Sequence, residues 1–356
     1  MSIPTTRPEL ACEIVPEGVI AARRQPDSAL LASAAFTRFG PDAPHSAYTP
    51  YIDKDAPRVS VPGMHSGDPQ QRDAVVRALK NALEQVGGRN GPLTLVIPDT
   101  AVRILFLDFD SLPSKPAEAI PLIRFRLRKM VAFEVDEAAI GYQAMPGAAG
   151  IRVIASALPK TVLQEYENMV REAGFEPGVV LPSTLATLAM VMDDHPALVV
   201  KANSQAVTTA IVRGQEVLLY RTQELAAPAA TPEEIEAAAL LASVPGDVLG
   251  ELESEHDRDQ LQQDRAHSEF LATQVGVEAD LLHALHVATA FYEDSTGSPA
   301  PVALVAGELD THYWQSLIGP EEITLRDIVS SEDMGTALDS GLSRVQLAAV
   351  CGALRG

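Results

Sequence analysis

The chain has 356 residues, a length typical of about two domains, and its 46 % hydrophobic and 21 % charged residues are those of an ordinary globular protein. Acidic residues outnumber basic ones 48 to 27, which gives a formal net charge of −21. Such a surface repels phosphate backbones and anionic lipid heads, so it argues against nucleic-acid binding and against a polybasic membrane anchor.

The sequence predicts a cytoplasmic protein. Its first eight residues lack the apolar core of a signal peptide, and no stretch approaches the ~20 apolar residues of a membrane span. Cys12 and Cys351 both sit in apolar surroundings and are predicted to be buried thiols rather than a disulfide. We therefore expect any membrane association to come through a partner.

The first part of the chain is predicted to form three antiparallel strands and a helix. The strands cover 10–15, 19–24 and 28–36, with Pro16-Glu17-Gly18 as the first turn. The proline-rich stretch 41–62 has no period and is predicted to be a loop. Apolar residues at helical spacing then predict a helix over 70–86.

A predicted α/β unit follows Gly91. The strands Leu93–Ile97 and Val102–Phe109 are apolar on both faces and flank Pro98-Asp99-Thr100, so we interpret them as a buried hairpin. The remaining predicted elements are a helix over 116–131, strands over 140–145 and 151–157, and a helix over 160–173.

The opening pattern then returns, with strands predicted over 198–201, 206–213 and 216–221. A capping box at Thr231–Glu234 predicts another helix, and Asp247–Glu269, with eight acidic and two basic residues, is expected to be an exposed segment whose order is left open. The last predicted elements are a helix over 281–292, a strand over 302–306 and a helix from Ser343.

This repetition predicts an α/β protein of two lobes, each led by a β-meander, as in the actin-like fold, a duplicated ribonuclease H-like architecture. We assign 1–91 and 178–196 to the first lobe, and 197–225 and 278–356 to the second. Residues 92–177 form an inserted α/β subdomain, and residues 226–277 a small helical insert.

Three stretches carry a resemblance to one family. They are Leu93–Thr100 with its continuation to Glu137, Val153–Ala157 followed by Glu172-Ala173-Gly174-Phe175-Glu176-Pro177, and Leu282–Tyr292 followed by Val302–Gly307 and Leu347–Arg355. In this order they resemble the PilM family, the cytoplasmic actin-like component of type IV pilus assembly, which is itself similar to the cytoplasmic part of the type II secretion protein GspL.

The resemblance implies a scaffold at the inner face of the inner membrane. It would bind the cytoplasmic N-terminal tail of a single-pass membrane partner, PilN, in a pilus or a type II secretion-like assembly. The partner's identity, the choice between the two systems and the oligomeric state stay open, and self-association is one of the possibilities.

The loops that bind nucleotide in actin-like proteins are altered here. The first family loop, roughly Asp-Ile-Gly-Ser-Ser, is similar in position to Glu13-Ile14-Val15-Pro16-Glu17, which loses the glycine and one N–H donor. The second corresponds to Lys201-Ala202-Asn203-Ser204-Gln205, where a lysine replaces the carboxylate that would orient Mg²⁺. The adenosine loop keeps only Gly307.

The resemblance therefore predicts a degenerate nucleotide site at Glu13, Lys201, Asn203, Ser204 and Gly307, and a protein that is not an enzyme. Phosphoryl transfer depends on positioning and on a metal ion, so neither ATP nor Mg²⁺ is expected as a cofactor, while the question whether nucleotide still binds stays open. The alternatives are an ATP-dependent small-molecule kinase, an active actin-like ATPase, or an FtsA-like filament protein. The last is disfavoured because the chain stops at Arg355-Gly356 without an amphipathic helix.

Arg124, Arg126, Arg128 and Lys129 form the basic cluster of this acidic sequence. They are either a solvated helix face paired with Glu134, Asp136 and Glu137, or a docking patch for an acidic segment of a partner or a second subunit. The sequence contains no HExxH or CxxC pattern, and we predict no metal site.

Overall fold

The computed structural model describes residues 8–26, 28, 30–39, 69–147, 150–225, 255–319 and 323–355. The chain divides into two compact units. The larger consists of Met1–Glu224 and Leu285–Gly356, and the smaller of Leu225–Ala284. The predicted loop 41–62 and the capping box at Thr231 lie outside the described residues.

A five-stranded sheet opens the larger unit. Its strands are β1 (Leu10–Val15), β2 (Gly18–Arg24), β3 (Leu31–Arg38), β4 (Pro92–Ile97) and β8 (Glu176–Pro182), in the order β3-β2-β1-β4-β8. The first three are antiparallel, whereas β4 lies parallel to β1 and β8. All six residues of β1 are buried, as expected of an apolar strand at the centre of a sheet covered on both faces.

A second sheet repeats this design. Its strands are β9 (Ala197–Ala202), β10 (Ala206–Arg213), β11 (Glu216–Glu224), β12 (Val302–Gly307) and β13 (Thr324–Asp327), in the order β11-β10-β9-β12-β13. Again three antiparallel strands are followed by two parallel ones. The predicted two-lobed, duplicated α/β fold is thus confirmed.

Helices cover the first sheet on both faces. On one face, α1 (Pro69–Gln85) and α3 (Lys160–Glu172) bury apolar side chains against it, with Leu79 and Tyr166 fully enclosed. On the other face lie α4 (Ser183–Leu188) and α7 (Ala348–Arg355), within a core that also includes Val199 and Ala306 of the second sheet. The two sheets therefore share one hydrophobic core.

The remaining helices are α5 (Glu255–Thr296) and α6 (Thr311–Ile318). The predicted exposed segment 247–269 is helical from Glu255 onward, and its earlier residues lie outside the described ranges. Cys12 and Cys351 are buried free thiols, as predicted. None of the helices in the described ranges is long and apolar enough to span a bilayer.

The predicted hairpin of strands 93–97 and 102–109 is wrong. The first of them, β4, lies between β1 and β8 in the first sheet. The second, β5 (Arg103–Phe109), belongs to a separate three-stranded antiparallel sheet, β5-β7-β6, with β6 (Ala138–Gly147) and β7 (Gly150–Pro159). Two apolar strands around a short turn look alike in either arrangement, but the parallel position encloses β4 on both faces.

This correction also changes the first boundary of the inserted subdomain. Residues 92–97, which we assigned to the inserted subdomain, complete the first sheet instead. The insert keeps its own core, where α2 (Pro116–Leu127) packs on the three-stranded sheet through Ile123 and Leu127 against Val153 and Ala155.

Close packing of α7 against α4 provides a test of the shared core. A Cβ added at Gly352 would lie 1.9 Å from the Ala186 carbonyl oxygen, whereas one added at Gly276, in α5, meets nothing within 4 Å. We expect Gly352→Ala to lower the free energy of unfolding by about 3 kcal/mol, because the backbone of one helix must move. Gly276→Ala should be neutral or slightly stabilising, because alanine is the better helix former. Urea titrations of both variants check this, and equal effects would contradict it.

Candidate functional site

Polar side chains gather where parallel strands end. Because β1, β4 and β8 run in the same direction, their carboxyl ends bring Glu13, Asp99 and Ser183 to one edge of the first sheet. In the second sheet, β9 and β12 end near Lys201 and Gly307 for the same reason. We call the place where these ends meet the sheet junction.

Glu13 and Lys201 form a buried ion pair across the sheet junction. The Lys201 ammonium lies 2.9 Å from Oε1 of Glu13, and the two residues are only 7 % and 2 % exposed. The Ser183 hydroxyl also donates to Oε1. No described residue donates a hydrogen bond to the buried Oε2 of Glu13. Lys201, from the second sheet, therefore neutralises a carboxylate of the first sheet.

Asp99 is the second link across the sheet junction. From the first lobe it accepts hydrogen bonds from the Thr184 amide at 2.9 Å and the Thr184 hydroxyl at 2.5 Å. From the second sheet it accepts the Tyr220 hydroxyl at 2.7 Å and the Thr208 hydroxyl at 3.2 Å. Burial and the Asp99 charge raise the pKa of Tyr220 well above its usual value, so the phenol stays a donor.

The second loop uses its own groups to satisfy its backbone. The Asn203 side-chain oxygen accepts the amides of Gln205 and Ala206, each at 2.9 Å, in an Asx-type turn. The Ser204 amide donates to Oε2 of Glu308 at 3.0 Å. Three amides of this loop thus bind carboxylate and amide oxygens of the same chain.

Gly307 is required by packing. Its φ is +98°, and an added Cβ would lie 2.1 Å from the Ala202 carbonyl oxygen. This residue lets β12 approach the end of β9, and the next amide, of Glu308, donates to that same carbonyl at 2.8 Å.

The cavity at the sheet junction is very small, with a volume of about 20 Å³. We call it the junction cavity. Its lining includes Glu13, Asp99, Ser183, Lys201, Asn203 and Thr208. Pockets for drug-sized ligands measure about 300–1,000 Å³, whereas one water molecule needs only about 10–15 Å³ of such space.

Burial at the edge of this site raises the pKa of Glu308 to about 7. The negative charges of Glu17 and Glu13 act in the same direction, while the Ser204 amide and the charge of Lys201 oppose them. Glu308 therefore changes charge near neutral pH. In the described part of the chain no group of three or more His, Cys, Asp or Glu side chains is placed to hold a metal ion.

The structure separates the four residues of the basic cluster. Arg124 donates into the insert, to the carbonyl oxygens of Val135 and Ala138. Arg128 makes a 2.7 Å ion pair with Asp136, which raises the pKa of the guanidinium further. Arg128 therefore matches the solvated, paired alternative of the sequence interpretation, whereas Arg124 matches neither alternative, because it is half-buried and donates to backbone carbonyls. The docking role of the cluster stays a prediction that now concerns Arg126 and Lys129.

An exposed apolar and basic stripe runs along α2 and the turn after it. Phe125, Leu122 and Met130 are 65 %, 44 % and 49 % exposed. Arg126, which lies over the Phe109 ring at 5.5 Å, and Lys129 are exposed beside them. We call Leu122, Phe125, Arg126, Lys129 and Met130 the α2 face. Leu122, Phe125 and Arg126 share one face of α2 at the spacing i, i+3 and i+4, a signal present in the sequence, and Lys129 and Met130 lie in the turn that follows the helix.

The sequence interpretation named Glu13, Lys201, Asn203, Ser204 and Gly307, and the structure brings all five to the sheet junction or its margin. It missed Asp99, Ser183, Thr208 and Tyr220. Asp99 and Ser183 each follow a proline at the end of an apolar strand, and this pattern was a signal in the sequence. The incorrect hairpin prediction, however, placed Asp99 in the turn between two paired strands, and not at the end of a strand beside β1.

Comparison with known proteins shows the fold. No protein-family model matches the sequence, and no curated protein matches it at a significant level. A chain of a solved PilM-PilN type IV pilus biogenesis complex aligns with it over 98 % of both chains, with a TM-score of 0.62 and 16 % identity. The fold is actin-like and similar to that of the PilM-PilN complex. The predicted resemblance is confirmed at this level.

A weaker likeness is to the cytoplasmic domain of EpsL, an inner membrane component of the type II secretion system of Vibrio cholerae. It covers 98 % of this chain and 94 % of the other, with a TM-score of 0.46 and 9 % identity.

The ion pair at the sheet junction gives a stability prediction. We expect Lys201→Met to lower the free energy of unfolding by about 3–5 kcal/mol, because it leaves the Glu13 carboxylate buried without its cation. The double variant Glu13→Gln, Lys201→Met should recover a large part of that loss. As a control, Arg213→Met breaks the exposed 2.7 Å pair with Glu216 and should cost less than about 1 kcal/mol. Urea unfolding measures these three variants and Glu13→Gln alone, and additive effects of the two single changes at Glu13 and Lys201 would refute the coupling.

Glu308 gives a pH prediction. Its pKa of about 7 in the folded protein exceeds the usual value of about 4.3 in an unfolded chain, so the folded state holds the proton more tightly. Its contribution to stability is present below about pH 4 and is lost as the pH rises to about 7. Relative to wild type, Glu308→Gln should therefore be more stable at pH 8 than at pH 5, by about 1–3 kcal/mol. Urea unfolding measures both proteins at the two pH values. The same stability difference between Glu308→Gln and wild type at pH 5 and pH 8 would count against the prediction.

Proposed function

We propose that this protein is a cytoplasmic scaffold that binds the N-terminal tail of an inner-membrane partner in a type IV pilus or type II secretion-like assembly. The likeness to a PilM-PilN complex over nearly the whole chain supports a PilN-like partner. The α2 face is the observation that carries the binding role, because an acidic chain here exposes three large apolar side chains beside two cations.

The α2 face has the composition of a docking surface. A lone exposed apolar side chain is ordinary, but a contiguous apolar stripe rimmed by charge is typical of interaction sites. Phe125, with 65 % of its surface exposed, would supply the anchor. Arg126 and Lys129 would orient an acidic or carboxylate-bearing segment.

The second part of the proposal is that nucleotide chemistry has been lost. A cavity of about 20 Å³ is far below the size of a nucleotide pocket. Opening it would separate Lys201 from Glu13 and remove the Tyr220 and Thr208 donors from Asp99. These buried bonds oppose the opening that ATP would require, and Lys201 cannot ligate Mg²⁺.

A peptide titration tests the binding role. The probe is a synthetic peptide of the cytoplasmic N-terminal tail of the PilN-like protein encoded in the same genome, titrated into the full chain by calorimetry. Wild type should bind saturably, and Phe125→Ser combined with Arg126→Glu should weaken binding at least about tenfold, because both anchor and charge are lost. Absence of binding by wild type would refute the scaffold.

A matched control separates the α2 face from general surface charge. Leu338 is 59 % exposed and the Arg38 side chain 77 % exposed, both away from the insert. Leu338→Ser combined with Arg38→Glu should leave the dissociation constant unchanged. An equal loss in both double variants would remove the α2 face from the proposal.

A second titration, with Mg·ATP, tests the loss of nucleotide chemistry. Scaffold and kinase predict opposite results, because a kinase must bind ATP. We expect no heat of binding at millimolar Mg·ATP. Saturable binding would favour the ATP-dependent kinase or ATPase and overturn this part of the proposal, whatever the peptide titration shows.

A further inference from the structure

A larger cavity lies at the opposite end of the first sheet from the sheet junction. Its volume is about 800 Å³, within the usual range of pockets that hold small molecules. It is placed where β1 and β4 begin and where α1 ends. We call it the α1-end cavity, and its lining includes Glu9, Arg23, Gly87, Gly88, Arg89 and Gly91.

The two arginines of the α1-end cavity have no partner within the protein. In the part of the chain that the structure describes, neither the half-buried Arg23 nor the exposed Arg89 makes a hydrogen bond or an ion pair. The Arg23 guanidinium lies against the backbone of Gly87, because a Cβ added there would be 3.3 Å from Nη1. With Glu9, the ionised lining sums to +1 in a chain of net charge −21. Free guanidinium groups in a cavity are suited to bind an oxyanion.

The loop between α1 and β4 adds free backbone donors to these cations. Residues 87–91 read Gly-Gly-Arg-Asn-Gly. Within the described residue ranges, no oxygen accepts a hydrogen bond from the amides of Arg89, Asn90 or Gly91. Successive backbone N–H groups in a turn form a concave site for an anion. The loop therefore supplies donors of the same kind as the two guanidinium groups.

The end of α1 does not cancel this attraction. A helix C-terminus repels anions through carbonyl groups that lack donors. Here the amides of Gly87 and Gly88 donate to two of these carbonyls. The Ser33 hydroxyl donates to a third, that of Val86, at 3.1 Å. The Glu9 side chain is exposed, so solvent and salt screen its repulsion.

We propose that the α1-end cavity binds a phosphate group, held by the guanidinium groups of Arg23 and Arg89 and by the amides of residues 89–91. A phosphate monoester carries three acceptor oxygens and a charge of about −1.5 to −2 at pH 7. It therefore matches two cations and several N–H donors better than a carboxylate does. The volume also admits the rest of a small organic phosphate, so free phosphate and a phosphomonoester are the two sources of this group.

The site is independent of the scaffold role and of the sheet junction. It lies at the other end of the first sheet and includes no residue of the α2 face. The metal ion of Mg·ATP neutralises its terminal phosphates, so this complex is not expected to bind here.

Calorimetry with inorganic phosphate, at constant ionic strength and without Mg²⁺, tests the site. The full chain should bind saturably. Arg23→Met combined with Arg89→Met should weaken binding at least about tenfold, because two charge-assisted contacts are lost. The matched control is Arg77→Met combined with Arg221→Met, which removes two exposed arginines outside the lining and should leave the dissociation constant unchanged. Absence of binding by wild type, or an equal loss in both double variants, would overturn the proposal.

Glu9→Gln should have the opposite effect. It removes a like charge from the lining and should tighten phosphate binding by about two- to fivefold. Weaker binding by this variant would contradict the assignment of phosphate to this cavity.

Two further probes define the ligand. Acetate should bind at least about tenfold more weakly than phosphate, since it offers fewer acceptors and less charge, and equal binding would overturn the choice of phosphate. Glycerol 3-phosphate represents the phosphomonoesters. Tighter binding than that of inorganic phosphate would assign the site to an organic phosphate, and equal or weaker binding would assign it to free phosphate.

A direct measurement covers the case in which the double variant does not fold. In amide NMR spectra of the wild-type protein, inorganic phosphate should shift the resonances of Arg89, Asn90 and Gly91 in a saturable manner. Unchanged resonances at all three positions would overturn the proposal. Neither the peptide nor Mg·ATP is present in these measurements, so failure of the proposed function would leave their result unaffected.

Discussion

The ion pair between Glu13 and Lys201 joins the first sheet to the second, and the other polar contacts of the sheet junction are arranged around it. A charge pair that is almost fully excluded from water is stable only while both members stay together, because separation leaves each of them poorly solvated. Asp99 adds a second constraint of the same kind, with donors from both sides. The buried Glu13 and the half-buried Asp99 therefore both link the first sheet to the second.

Side chains of the protein itself bind the polar groups of the sheet junction. Lys201 supplies a positive charge to Glu13, and Glu308 and Asn203 accept hydrogen bonds from the loop amides. The two loops at the sheet junction are therefore held by hydrogen bonds within the chain.

Much of this was predictable from local pattern. The β-meanders at 10–24 and 198–221, and the duplication they reveal, follow from alternating apolar runs and turn residues. Glu13 and Lys201, which the structure places in β1 and β9, were also named as candidate site residues from the sequence. The pairing between them was not predictable, because nothing local specifies which buried lysine meets which buried carboxylate across 188 residues.

The missed features have physical reasons as well. β4 and β5 are both apolar strands, and only the long-range pairing of β4 with β8 distinguishes a parallel sheet strand from one arm of a hairpin. That error hid Asp99, whose partners lie 85 to 121 residues away. The basic cluster was visible, but the inward direction of Arg124 depends on where the turn at Val135 packs.

The small side chains of helix α7 have a consequence for the sheet junction. Its buried residues run Ala348-Ala349-Val350-Cys351-Gly352-Ala353-Leu354, mostly side chains of one to three heavy atoms, and they pack between elements of both sheets. The volume of these side chains therefore sets how closely the two sheets approach each other. A larger residue in α7 would push the sheets apart and widen the sheet junction around Glu13. The width of the sheet junction is thus determined by side-chain volume at positions far along the chain from Glu13.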